Sequence, residues 1–243
     1  IAEAYRVPLG AVRSAGTAVA ASAVLSSIFL LYAAGPAGAL LALLAFRRGG
    51  RHRPLRHAAF AVCCGLALDQ FLPMPRECSP RVRWLLPLVR LLNRAFGHRF
   101  YPRNKIELKK DRHYMLALTP HGFMPWGVVG VMAELWDQGY LPNFVGASVL
   151  GALPFAGRAL RFAGYTPATR ESIRRCLDRP YPRNVTLIIP GGIHEMFLGR
   201  PDVEVTAAGM RKGFAALAAE KEAMLVPGYM FGTSQLYTVA GGG

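Results

Sequence analysis

The sequence predicts an α/β fold, a mainly parallel sheet flanked by helices, set behind an N-terminal membrane-embedded helical hairpin. Three observations predict it. Strand-like and helix-like blocks alternate from residue 113; residues 14–46 hold no charged side chain; and the 243-residue chain is 52% hydrophobic with a formal net charge of +15. Alternating blocks imply parallel strands joined by covering helices. The oily composition points to a membrane, and 29 Lys and Arg against 14 Asp and Glu point to an anionic partner. Charge alone does not choose among nucleic acid, phospholipid headgroups and a phosphorylated cofactor. Composition divides the chain into residues 1–46, an N-terminal segment and hairpin; 47–112, a basic juxtamembrane and interfacial region; and 113–243, the α/β domain.

The uncharged stretch 14–46 exceeds the roughly 20 residues that one helix needs to cross a bilayer. Gly35-Pro36 falls inside it, and proline breaks or kinks a helix, so two arms meeting at Ala34-Gly35-Pro36 fit better than one straight span. Arg6 and Arg13 precede it, and Arg47, Arg48, Arg51, Arg53 and Arg56 follow. Both flanks therefore favour the cytoplasm, and a re-entrant hairpin is the simplest topology. The length argues against a signal peptide; a buried core helix is the alternative.

Residues 47–57, RRGGRHRPLRH, read as a juxtamembrane segment suited to anionic headgroups, or as a solvated loop. In residues 81–100, Trp84, Leu85, Leu88, Leu92 and Phe96 alternate with Arg81, Arg83, Arg90, Arg94 and Arg99. That spacing suits a helix lying in a membrane interface, bent at Pro87, and fits a core-packing helix nearly as well. Its place after the hairpin favours the interface. Cys63, Cys64, Cys78 and Cys176 form no C-x-x-C pair, so buried free thiols are expected rather than a zinc site or a disulfide framework.

In the third region HYMLALT (113–119) reads as a buried strand, 124–138 as a helix and NFVGAS (143–148) as a strand. Residues 151–164 and 168–177 read as helices, NVTLIIP (184–190) as the third strand, 209–222 as a helix and AMLVPGYMF (223–231) as a strand. Ligands of such sheets bind beyond the carboxyl ends of the strands. TPHG follows the first strand and PGGIHE the third, so His121, Gly191, Gly192, His194 and Glu195 are expected to converge at one edge.

An imidazole titrates near neutrality and takes a proton from a hydroxyl, so His121 is the candidate base, with Pro120 restraining its approach and Gly122 leaving space beside it. A structural histidine is the alternative. Gly191 and Gly192 bring backbone close to a ligand and aim N–H groups at an oxyanion or phosphate, or simply form a turn. Glu195 orients an imidazole, holds a polar head, or caps a helix. Arg211 and Lys212 open a helix, where cations oppose the macrodipole and an anionic ligand would offset the mismatch; a solvated pair explains them equally well.

TPHG at 119–122, PGGIHE at 190–195, RKGF at 211–214 and LVPGYMFG at 225–232, in this order, resemble the diacylglycerol acyltransferase type 2 family, which includes monoacylglycerol acyltransferases and wax synthases. The resemblance covers roughly residues 80–237, and the N-terminal hairpin resembles the family's membrane anchor. It implies a glycerolipid acyltransferase-like fold that transfers a fatty acyl group from acyl-CoA to a lipid hydroxyl, with acyl-CoA as co-substrate and neither metal nor bound redox cofactor. Diacylglycerol is the first acceptor to expect, giving triacylglycerol; monoacylglycerol or a long-chain alcohol comes next, and a catalytically degenerate membrane-binding relative is the alternative.

By the same resemblance His121 is the general base, Glu195 the motif's glutamate, Gly191 and Gly192 its paired glycines, and Arg211 and Lys212 partners for CoA phosphates. Membrane lipids are expected partners, at the endoplasmic reticulum or a lipid droplet, with the catalytic part facing the cytoplasm. Nucleic acid is not expected, since charge alone speaks for it. Thr119 stands where H-P-H-G has its first histidine, and Trp126 where wider glycerolipid acyltransferases carry an orienting aspartate. Glu195 or a backbone carbonyl is therefore expected to fix the His121 tautomer. The chain starts at Ile1 and stops at Gly243, which suggests a fragment whose α/β domain is C-terminally incomplete.

Overall fold

The structure is a computed structural model that describes residues 72–95, 97–99, 108–122, 125–198 and 204–233, preceded by positions 57, 60, 61, 64, 65 and 69. The hairpin expected at 14–46 and the basic flank at 47–56 lie outside the described residues. Among the described residues no helix is long and apolar enough to cross a membrane.

Five strands form one sheet, β1 (Tyr114–Thr119), β2 (Asn143–Gly146), β3 (Tyr165–Pro167), β4 (Val185–Ile188) and β5 (Met224–Tyr229), in the order β3-β2-β4-β1-β5. Every pairing is parallel. Helices α1 (Leu86–Ala95), α2 (Trp126–Asp137), α3 (Ala156–Phe162), α4 (Arg170–Leu177), α5 (His194–Leu198) and α6 (Gly213–Glu220) connect and cover it. The predicted α/β class with a mainly parallel sheet is the observed one.

β1 is an inner strand, paired with β4 on one side and β5 on the other, and its sequence is apolar on both faces, as a strand covered on both sides requires. Tyr114 and Leu118 pack with Val185 and Leu187 of β4 beneath Val128, Val131 and Met132 of α2 and Val89 of α1. Met115, one residue out of phase, packs on the opposite face against Ile173 and Leu177 of α4 and Leu217 and Ala218 of α6. β5 lies at the edge, where Pro227, which has no N–H to offer a further strand, is tolerated.

The structure corrects three element boundaries. The block 151–177, read as two helices, holds β3 between them, entered through Gly164 at φ +101°. The helix expected from 151 is a 3-10 turn at Ser148–Ala152 followed by α3. Pro154 and Phe155, the latter at φ 56°, separate them, and Arg158 and the Phe155 N–H are bonded to Asp69. The helix expected from 209 starts at Gly213, so Arg211 precedes it and Lys212 is its N-cap. In addition PGGIHE follows the fourth strand rather than the third.

Candidate active site

β4, β1 and β5 are neighbours, so the segments beyond Ile188, Thr119 and Tyr229 gather at one carboxyl edge of the sheet. The chain after Thr119 is tied to the β5 end, the Met230 N–H donating to the Thr119 carbonyl at 2.6 Å. Gly122 sits at φ +59°, and a Cβ there would lie 2.7 Å from the Thr233 Cβ and 2.8 Å from its carbonyl oxygen. A bare α-carbon is therefore required on two counts, backbone conformation and the close approach of Thr233.

His121 is half-buried between these contacts. Its backbone N–H donates to the Glu195 Oε2 at 2.5 Å, while its ring Nδ1 is 2.7 Å from the Gly122 carbonyl oxygen. A carbonyl only accepts, so this contact puts the proton on Nδ1 and leaves the Nε2 lone pair as the basic position. Of the two groups expected to fix the tautomer, the backbone carbonyl meets the ring, and Glu195 holds the main chain instead.

Glu195 is 1% exposed. Its other oxygen, Oε1, accepts the Ala207 N–H at 2.6 Å and the Thr206 hydroxyl at 3.0 Å. Burying a carboxylate is costly unless its lone pairs are engaged, and here three donors engage it. Glu195 thereby joins three segments: the His121 loop, its own helix α5, and residues 206–207.

Gly191 makes that arrangement possible, since a Cβ on it would lie 1.9 Å from the Glu195 Oε1. Gly192, at φ +59°, donates its N–H to the Ile189 carbonyl at 3.1 Å, so that group is used within the turn. The Gly191 N–H has no acceptor among the described residues. Gly122 and Gly191 thus make room for protein atoms, whereas the sequence suggested space beside His121 for the first and backbone close to a ligand, or simply a turn, for the second. The Arg211 guanidinium lies over Gly192, with Nη1 2.9 Å from where a Cβ would stand, and makes no hydrogen bond or ion pair among the described residues. Lys212 is exposed at the α6 cap, and nothing sets it against the other site residues. Pro120 is buried, and His194 is exposed on α5.

Sequence reasoning missed Glu204, Thr206, Tyr229 and Thr233. Glu204 accepts the Gly232 N–H at 2.5 Å, one residue before the Thr233 that packs on Gly122. The Tyr229 hydroxyl is pushed up to about 12, first by burial, then by its hydrogen bond to Glu204 and the negative fields of Glu204 and Glu195. Tyr229 was in view inside LVPGYMFG; Glu204 and Thr206 belong to no motif, and only their polarity in an otherwise small, apolar stretch marks them. Thr119 and Trp126 provide no substitute orienting carboxylate: Trp126 is buried at the start of α2 and donates its indole N–H to Asn93 at 3.1 Å. Around this edge Ile193, Phe197, Leu198 and Phe231 are exposed, and so is nearly half of the Tyr229 residue, although its hydroxyl is desolvated beside Glu204. Among the described residues no three His, Cys, Asp or Glu side chains are grouped as a metal site requires.

The diacylglycerol acyltransferase family model matches residues 62–241. Diacylglycerol O-acyltransferase 2-like protein 6 of Mus musculus is 29% identical over 139 residues, 54% of this chain and 41% of that protein. 2-Acylglycerol O-acyltransferase 3 of Homo sapiens is 28% identical over 176 residues, 67% of this chain and 50% of that protein. Acyl-CoA wax alcohol acyltransferase 2 of Mus musculus is 27% identical over 148 residues, 57% and 44% respectively. The chain spans about half the length of these relatives or less. No solved structure matches it.

Proposed function

The chain belongs to the diacylglycerol acyltransferase family that its four motifs resemble, and from that premise we propose that it is an acyl-CoA-dependent O-acyltransferase acting on a lipid hydroxyl. One observation carries the reading. His121 stands just beyond the end of the inner strand β1 with its backbone fixed by buried Glu195 and its Nδ1 facing the Gly122 carbonyl, so Nε2 is left to accept a proton. In this reading Nε2 draws the proton from the acceptor hydroxyl as that oxygen attacks the thioester carbonyl. The tetrahedral oxyanion collapses, the C–S bond breaks, and the CoA thiolate takes the proton back from His121, leaving an ester and free CoA. The Gly191 N–H, which has no acceptor among the described residues, is a candidate backbone donor to the oxyanion.

Glu195 is a positioning residue here, since it touches the His121 main chain and not the reacting atoms. Arg211, whose guanidinium lies beside Gly192 and has no ion-pair partner among the described residues, is the candidate partner for a CoA phosphate, with Lys212 next to it in sequence as a second cation. Pro120, Gly122, Gly191 and Gly192 shape the loops around the base. The exposed Ile193, Phe197 and Phe231 offer an apolar rim for acyl chains.

Diacylglycerol is the acceptor we favour. The relatives' names include a 2-acylglycerol and a wax alcohol acyltransferase at almost the same identity, so monoacylglycerol and long-chain alcohols stand as the alternatives. A membrane setting at the endoplasmic reticulum, with this edge in the cytoplasm, agrees with the uncharged segment 14–46 and its basic flanks. Labelled acyl-CoA offered with a panel of diacylglycerol, 2-monoacylglycerol and long-chain alcohol tests the reading: triacylglycerol as the main product supports it, and no acylated product from any acceptor removes it.

A further inference from the structure

The second candidate surface lies away from the catalytic edge. Residues 80–95 form one continuous rod, a 3-10 segment Pro80–Leu85 running into α1. Its side chains fall into three stripes. Val82, Leu86 and Val89 face the core. On the far side Trp84, Leu88 and Leu91, at helical spacing, are 79%, 53% and 62% exposed, with Leu85 at 41% beside them. Arginines at 81, 83, 90 and 94 border this second apolar stripe, and residues 79–99 contain no acidic residue at all.

A surface helix ordinarily needs one apolar stripe, the one turned to the core. Two opposed stripes put four large apolar side chains in contact with whatever lies outside. The arginines decide what that is. Arg83 donates to the Gly139 carbonyl at 2.7 Å and Arg90 pairs with Asp137 at 2.6 Å, so both brace the rod against the domain. Arg81 and Arg94 have no partner among the described residues. Covering this face with the chain's own residues 14–46 would bury the leucines and leave the arginines unanswered, because that segment has no charge. A second copy would set arginines against arginines. A phospholipid surface answers both stripes, with acyl chains for Trp84, Leu88 and Leu91 and phosphates for Arg81 and Arg94, whose long stems lie along apolar surface while their heads stay polar.

We propose that this face docks on an anionic phospholipid bilayer. The proposal rests on the membrane setting of the preceding reading but is independent of acyl transfer. It also bears on the site: Asn93, near the end of α1, accepts the indole N–H of Trp126, which starts α2 immediately after the His121 loop. A docked rod would therefore hold that loop close to the lipid.

The test uses the full chain reconstituted in phosphatidylcholine vesicles, with and without phosphatidylserine, and reads tryptophan quenching by lipids brominated along the acyl chain. Trp126 and Trp136 are 6% and 4% exposed, so the quenchable emission belongs to Trp84. The expected result is quenching in wild type, its loss in Trp84→Phe, and a clear reduction in Arg81→Gln/Arg94→Gln only where phosphatidylserine is present. Quenching of Trp84 by aqueous iodide instead would place the face in water and overturn the proposal. Protection from both quenchers would mean that protein covers it, and would overturn the proposal equally. Lipid quenching indifferent to phosphatidylserine and to the arginines would overturn the anionic part. Activity is not read, so an inactive protein leaves the test intact.

Discussion

The backbone N–H of His121 and the carboxylate of Glu195 lie 2.5 Å apart, although 74 residues separate them in the chain. This bond locks the candidate base through its main chain, leaving the ring to the Gly122 carbonyl. Glu195→Gln tests the division of labour. An amide has one acceptor oxygen where the carboxylate has two, so its NH2 must face one of the donors now bound, either His121 or Ala207. We expect a loss of about 1–3 kcal/mol in stability, or about 2–4 °C in Tm per kcal/mol for a chain of this size. kcat should fall by roughly tenfold or more with KM little changed, as a misplaced base would give.

Glycine substitutions should separate packing from ligand contact. Gly191→Ala would drive a Cβ to 1.9 Å from the Glu195 Oε1 and must displace that carboxylate. A loss of about 1–3 kcal/mol is expected, together with activity. Gly209→Ala, with nothing within 4 Å of the added Cβ, should stay within about 0.5 kcal/mol of wild type. Thermal unfolding of both variants checks this.

The Tyr229 hydroxyl provides a readout of the Glu204 contact. Its value is raised from about 10 to about 12, by burial first and by Glu204 second. A raised phenol favours the folded state while protonated, so that contribution is complete below about pH 10 and is lost as pH rises through about 12. An ultraviolet titration, with Tyr229→Phe used to assign the signal, should show the midpoint moving down in Glu204→Gln while staying above the ordinary value, because burial persists. An unchanged midpoint would mean that the Glu204 contact is not made.

Thiol accessibility tests the packing of the sheet. Cys64 is exposed, whereas Cys78 and Cys176 are buried, and burial pushes the Cys78 thiol up to about 11 and Cys176 up as well. Thiolate is the reactive form. Alkylation of the native protein at mildly alkaline pH, mapped by mass spectrometry, should label Cys64 and spare Cys78 and Cys176 until the chain is unfolded.

Four of the five strands were legible because each is a run of apolar or β-branched residues long enough to carry a signal. β3 was not: Tyr165–Pro167 is three residues long, and its place comes from pairing with Phe144 to Gly146. The convergence of TPHG with PGGIHE was legible, since both follow strands and strands of a parallel sheet end on one side. The atoms that meet were not. Strand order brings Glu195 to His121, but only side-chain packing, with Gly191 opening the space, decides that the carboxylate reaches the backbone and not the ring. Glu204, Thr206 and Thr233 act through contacts with distant main chain, and such contacts leave no spacing pattern to read. Arg211 was expected inside a helix; its position ahead of Gly213, over Gly192, follows from a 3-10 turn at Ala208–Met210 that periodicity does not reveal.

One rate comparison tests His121 as the base for acyl transfer. Wild type and His121→Ala, matched for folding and for incorporation into membranes, are given labelled acyl-CoA and the best acceptor, and ester formation is timed together with release of the CoA thiol. Both rates should fall together in the variant by a factor on the order of 10²–10⁴, the usual worth of a positioned general base. Equal rates in the two proteins would contradict that role.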